Sequence, residues 1–300
     1  MAQDVGILSG AVARGHGMSV FKRIRRIADF PIIPAILLAP MIVFGLFGPW
    51  LWPHDPTAIS FGTRQLPPAW LQGGNWSYLL GTDQFGRDLL SRLIEGARIA
   101  LIVSCVSVGT ASFIGTVAGM LAGYCGGIVD MIVMRIVDVK MSIPPVLLTI
   151  LIGSVIGGGL TTILLSIILV FWADYARVIR GETLSLKNRG YIQLALVANA
   201  SRFRIFTRHL LPNLLPTCIV LMTLQFGASL IIEAAITFIG LGIQPPASAW
   251  GLLVADGRAY LSTAWWIPTF AGLAIALTAL GANLLGDWLR DYFDPRLKKR

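Results

Sequence analysis

Catalysis needs nucleophilic or ionisable side chains that converge, and this chain offers few. Its histidines, His16, His54 and His209, lie on three separate segments. Its cysteines, Cys105, Cys125 and Cys218, stand singly, with neither disulfide partners nor metal-ligand spacing, and read as small apolar residues. No metal site and no catalytic residue are therefore expected. No G-x-x-x-x-G-K-[ST] run is present to cradle a nucleotide phosphate. Any chemical energy the protein uses must come from outside the chain or from an ion gradient.

The polar residues that remain sit within apolar stretches. Asp130, Arg135, Asp138, Lys140, Asp174 and Arg177 are charges that a membrane-spanning helix carries only if they pair or face water. The i,i+3 spacing predicts pairs of Arg135 with Asp138 and of Asp174 with Arg177. Both are read as structural ion pairs near the span ends, with a proton relay as the alternative for Asp130, Arg135, Asp138 and Lys140 only. Gln225 and Glu233 share one apolar segment. Glu233 is the candidate for lining a transport pathway, against a buried, hydrogen-bonded structural role.

The elements that must hold these residues follow from composition. Hydrophobic residues make up 55% and charged residues 13% of the 300 positions. The apolar residues fall into six blocks of about twenty, the length that crosses a bilayer as a helix. The blocks are Pro31–Leu51, Ile99–Tyr124, Met131–Ile156, Leu160–Ile179, Leu214–Leu241 and Trp266–Trp288. Backbone groups in lipid must be satisfied internally, so the fold class is all-α, a polytopic membrane protein with six transmembrane helices. Pro144-Pro145 should kink the third span, Gly126-Gly127 and Gly157-Gly158-Gly159 should be turns, and Gly115, Gly119 and Gly123 give the second span a small-residue face for close helix packing.

The net charge of +9 excludes little alone, but its distribution argues against nucleic acid. Seventeen of the twenty-four basic residues lie in residues 1–30, between Arg177 and Arg208, or at the C-terminal end. With six spans these segments share one side, and the positive-inside bias makes that side the cytoplasm. Three regions result: a cytoplasmic segment 1–30, a six-helix domain 31–290 with an outer segment 53–97 and a cytoplasmic loop 181–212, and a cytoplasmic tail 291–300. No cleavable signal peptide is evident, so the first span is read as an anchor. Phe21, Ile24 and Ile27 among basic residues suggest a short interfacial helix against lipid.

Two segments carry recognisable patterns. In the basic loop, Tyr191 to Ala198 reads as a short helix with Ile192, Leu194, Ala195 and Ala198 on one apolar side. Asn199 is suited to a left-handed stop, Ser201 to capping a second helix from Arg202 to Leu210, and Pro212 and Pro216 to opening the next span. From the pattern alone this is either a solvated connector or a helix offered to a cytoplasmic partner. On the outer side, L-G-T-D-Q-F-G-R-D-L-L-S-R begins at Leu80, and Asp83 is expected to cap a helix running through Asp88 towards Arg98.

The loop resembles the cytoplasmic loop of ABC importer permeases, whose pattern runs E-A-A, three residues, G, nine residues, I-x-L-P. The matching positions are Gln193, Leu194 and Ala195, then Asn199, then His209, Leu211 and Pro212. Gln193, Leu194, Asn199 and His209 depart from the pattern. The outer motif at Gly81, Thr82, Asp83, Gly86, Arg87 and Asp88, the R-H-L-L-P-N run from Arg208 and the final D-P-R at Asp294 are similar to the dipeptide, oligopeptide and nickel branch. The resemblance implies a type I ABC importer permease fold and a permease subunit moving substrate by alternating access. It implies a second related permease, two cytoplasmic ATPases carrying ATP and Mg, an outer substrate-binding protein and a bacterial inner-membrane location. Tyr191, Gln193, Leu194, Ala195, Asn199, Ser201, His209, Leu211 and Pro212 would form the ATPase-coupling loop. Peptides are the expected cargo, with nickel chelates or glutathione as alternatives of the same branch. An ion-coupled secondary transporter is the reading from another class, and a membrane enzyme ranks last.

Overall fold

The computed structural model describes residues 31–293. The expected interfacial helix near Phe21 and the tail from Asp294 lie outside the described residues. The helices, in chain order, are α1 (Ile32–Leu51), α2 (Leu89–Cys125), α3 (Gly127–Met141), α4 (Pro145–Ile156), α5 (Leu160–Lys187), α6 (Gly190–Val197), α7 (Arg202–Phe238), α8 (Trp250–Gly257) and α9 (Trp266–Phe293). No strand occurs among the described residues, where a single bridge pairs Thr82 with Asp88.

α1, α2, α5, α7 and α9 are each long and apolar enough to cross a membrane. α3 and α4 make a sixth span if the two are counted as one, but they meet at 91°. The third block is thus a broken helix and not the kinked one that Pro144-Pro145 suggested. Two successive prolines remove two N–H donors. Ser142 closes α3 instead, its hydroxyl donating to the carbonyl of Asp138 at 2.8 Å, and Pro145 opens α4 at a position where the missing N–H costs nothing.

The centre of the fold is the seam between α2 and α5. A Cβ added at Gly115 would stand 2.3 Å from the carbonyl oxygen of Trp172, and at Gly119 2.5 Å from that of Ala176. At Gly123 it would stand 2.8 Å from the Cβ of Thr183. Glycine every fourth residue therefore lets two backbones touch over three turns, and the small-residue face packs inside this chain. α2 has 37 residues, about 55 Å at 1.5 Å per residue, so it overshoots a hydrocarbon layer of ~30 Å.

Two boundaries differ from expectation. α7 does not stop at Leu210. It passes through a π-helical stretch, Ile205–Leu210, and continues to Phe238. Regular α-helical geometry resumes at Leu211, with Pro212 in its first turn as expected, where a missing N–H costs little, while Pro216 lies inside the helix. α9 runs to Phe293, three residues beyond the expected end of the six-helix domain.

Candidate functional site

The loop end of the bundle is built around α6. α5 ends at Lys187, and the chain reverses through Asn188 and Arg189 into α6, within a residue of the expected helix. Asn199 follows with φ of 55°, the left-handed stop that its residue type suggests. Ser201 Oγ accepts from the N–H of Arg204 at 3.3 Å, capping α7 as expected.

Ile192 is the buried anchor of α6 among its described side chains. Ile192 packs with Met120, Ile179, Leu186, Ile205, Leu210 and Leu214, so α2, α5, α6 and α7 share a small core. The single apolar side expected for α6 is corrected here. At 100° per residue Ile192 and Leu194 lie 200° apart, and when Ile192 turns in, Leu194 turns out. Leu194 is 70% exposed, Val197 84% and Phe203, the second residue of α7, 77%. Ala195 is half-buried and Tyr191 exposed, its ring 6.3 Å from that of His209. Arg189, Arg202, Arg204 and Arg208 are exposed in the same segment, giving the apolar surface basic neighbours. His209 and Leu211 are half-buried and Pro212 exposed.

Gln193, exposed, and Lys187, half-buried, each donate to a backbone carbonyl. Gln193 Nε2 donates to the carbonyl of Lys187 at 2.9 Å. Lys187 Nζ donates to the carbonyl of Tyr124 at 2.6 Å and lies 5.5 Å from the centroid of its ring. No local sequence pattern signals the Lys187 contact, which spans 63 positions.

At the other end, the six motif residues Gly81, Thr82, Asp83, Gly86, Arg87 and Asp88 are all buried. Asp83 does not cap a helix. The cap of α2 is Asp88, which accepts from the N–H of Ser91 at 3.0 Å. Asp83 instead receives Arg87 Nε at 2.6 Å, Arg92 Nη1 at 2.5 Å, and the N–H groups of Phe85 and Arg87. Gly86, with φ of 76°, makes the reversal possible, since a Cβ there would fall 1.8 Å from the carbonyl oxygen of Ser60. His54 Nδ1 stands 3.5 Å from Asp88 Oδ2, with its ring stacked on Tyr78. Three donors fasten the second loop onto this clasp. Trp266 Nε1 reaches the carbonyl of Thr82, Trp250 Nε1 that of Leu93, and Ser248 Oγ that of Arg92. The motif is thus a structural knot joining residues 54–95 to 248–266.

Between the two ends, the local pairs predicted by i,i+3 spacing are replaced by tertiary ones. Asp138 takes Arg177 Nη2 at 2.7 Å, and Asp130 takes the guanidinium of Arg180 through both carboxylate oxygens. Both pairs tie α3 to α5. Two acids two turns apart on α3 meet two bases on α5. Asp174 lies 3.4 Å from Gln225 Nε2 instead of pairing with Arg177. Glu233 is 1% exposed and accepts from Thr237 Oγ1 at 3.1 Å. Gln225 and Glu233 share α7, but the structure does not bring their side chains together. No cluster of His, Cys, Asp and Glu suited to a metal occurs among the described residues.

The family described as binding-protein-dependent transport system inner membrane component matches residues 115–299. A di/tripeptide transport system permease protein, DppC, of Pseudomonas aeruginosa is 39% identical over 88% of this chain and 87% of its own length. A probable D,D-dipeptide transport system permease protein, DdpC, of Escherichia coli is 40% identical over 88% and 87%. A dipeptide transport system permease protein, DppC, of Bacillus subtilis is 38% identical over 88% and 81%. A chain of the MetNI methionine ABC transporter in inward-facing conformations is 18% identical, with a TM-score of 0.48 over 67% of this chain and 97% of that one.

Proposed function

Because the chain belongs to the family of binding-protein-dependent transport system inner membrane components, we propose that it is the permease subunit of an ATP-driven importer of di- or tripeptides. Relatives whose names specify peptide transport support the cargo. The observation that carries the mechanism is α6. It is a short helix anchored by Ile192, with Leu194, Val197 and nearby Phe203 presented outward among arginines. Exposed apolar side chains rimmed by charge suit a partner that supplies an apolar groove with acidic edges. We assign that partner as a cytoplasmic ATPase, one of two, which binds ATP with Mg and hydrolyses it outside this chain. A second related permease would complete the pathway, and an outer binding protein would deliver peptide to the end held by the Asp83 clasp. Closure of the ATPases would move α6, and the tightly packed α2–α5 pair would follow, alternating access between the two permeases. On this reading residues 188–201 face the cytoplasm, and so do both termini.

Leu194→Glu tests the reading. A buried, unpaired charge is costly, and truncating an interface anchor typically costs over ~2 kcal/mol. At ~1.4 kcal/mol per factor of ten, ATPase association should weaken at least tenfold, while membrane insertion persists because Leu194 lies outside the spans. Thr263→Glu, exposed beyond the opposite end of the bundle, is the control. Co-purification of the ATPase and ATP-dependent peptide uptake should fall together in the first variant only. Undiminished ATPase recovery with normal uptake, or uptake by this chain alone on an ion gradient, would overturn the assignment.

A further inference from the structure

Lys187 joins two helices through two different parts of itself. Its ammonium donates to the carbonyl of Tyr124, in the last turn of α2. Carbonyls at a helix C-terminus lack intrahelical partners and form the negative end of the helix dipole, so a cation is favoured there. Its own carbonyl accepts from Gln193 Nε2 on α6. The Tyr124 ring, which the ammonium also faces, packs edge-on against Phe206 in the π stretch of α7, with centroids 4.9 Å apart. Lys187 stands one turn beyond Thr183, which meets Gly123 at the last close contact of the α2–α5 seam. The seam is therefore extended by a polar link at the point where backbone contact ends and the chain turns into α6.

We propose that Lys187 is a positioning residue that transmits displacement of α6 to the C-terminal end of α2. This rests on the proposed docking of α6 to an ATPase. Besides the link, α6 meets the bundle through the Ile192 contacts, through the ring of Tyr191 near that of His209, and through the chain at both of its ends. Apolar contacts are non-directional, so that of Ile192 with Met120 on α2 can slide as α6 tilts, whereas the polar link ties one atom to another. With the link, Gln193 pulls the carbonyl of Lys187, and the Lys187 side chain pulls α2.

Cys125, exposed one residue after Tyr124, provides the reporter. The assembled importer, with its ATPases, is placed in lipid nanodiscs with Cys105 and Cys218 replaced by alanine. An environment-sensitive fluorophore is attached at Cys125, or at Ala198→Cys in a chain that also lacks Cys125. In the otherwise unaltered chain both positions should respond to Mg-ATP. Lys187→Met keeps most of the stem and removes the charge. It should leave the response at 198 unchanged and reduce that at 125 at least fivefold, and Lys187→Arg should restore it. Gln193→Leu cuts the other half of the link and should reproduce the loss, which decides the matter if Lys187→Met fails to assemble. A merely stabilising lysine would alter both reporters or neither. A full response at 125 in Lys187→Met or in Gln193→Leu overturns the inference while leaving the docking of α6 standing. No response at 198 in the unaltered chain overturns the docking and the inference with it.

Discussion

Asp83 is the residue on which the outer clasp depends. Its carboxylate is enclosed and faces two buried guanidinium groups, those of Arg87 and Arg92. Removing one partner of a buried ion pair leaves uncompensated charge and costs about 3–5 kcal/mol, more than a surface pair could contribute. Asp83→Ala should lower the thermal unfolding midpoint of the detergent-solubilised protein by that mechanism, and Asp55→Ala, on an exposed carboxylate that receives only Thr57, should not. Equal midpoints for the two variants would show that the arginines find other partners. This site was half legible in the sequence. The string from Leu80 to Arg92 announces a turn, a cap and a helix, but both Asp83 and Asp88 qualify as the cap by type. Which one turns inward depends on the left-handed Gly86 and on carbonyls at Ser60 and Leu66, some twenty positions away, and no local pattern encodes that.

Among the elements, the α2–α5 pair was the more readable and α6 the less. Gly115, Gly119 and Gly123 recur every fourth residue, so a close helix contact followed from period alone, although the partner helix did not. The seam makes a sharp prediction. A methyl group at Gly119 would sit 2.5 Å from a carbonyl oxygen and 3.0 Å from the N–H nitrogen of Arg180, both backbone atoms that cannot rotate away. Gly119→Ala should therefore cost about 1–3 kcal/mol as overpacking. At Gly109, on the same helix, a Cβ meets nothing within 4 Å, and Gly109→Ala should gain about 0.5–1 kcal/mol by restricting the unfolded chain. Opposite shifts in the unfolding midpoint are the expected result, and a neutral Gly119→Ala would mean that the two helices can separate without loss. α6 resisted reading because its residues are apolar almost all round, so periodicity could not say which side is buried. The ion pairs resisted for a related reason. The i,i+3 rule sees only one helix, whereas Asp130 and Asp138 reach Arg180 and Arg177 on another.

At the scale of the whole molecule, hydrophobic length made the spans legible, because a bilayer imposes a minimum run of apolar residues whatever the fold. The break between α3 and α4 was not legible, since apolar content continues across a 91° bend that only the backbone reveals. Orientation rests on charge. The end carrying α6 exposes Arg189, Arg202, Arg204 and Arg208, while the opposite end exposes Trp50, Trp76 and Trp265, residues suited to a membrane–water boundary. Translocating four arginines within a loop this short opposes the positive-inside bias, so the α6 end should remain in the cytoplasm. In a chain lacking Cys105, Cys125 and Cys218, Asn188→Cys should resist a membrane-impermeant thiol reagent in intact cells and react after the membrane is opened. Thr263→Cys, at the other end of α9, should react from outside. Both positions are exposed in the fold, so burial cannot account for a difference between them. Labelling of Asn188→Cys in intact cells would invert the map. It would place α6 away from ATP and remove the basis for coupling through Leu194 and Lys187 together.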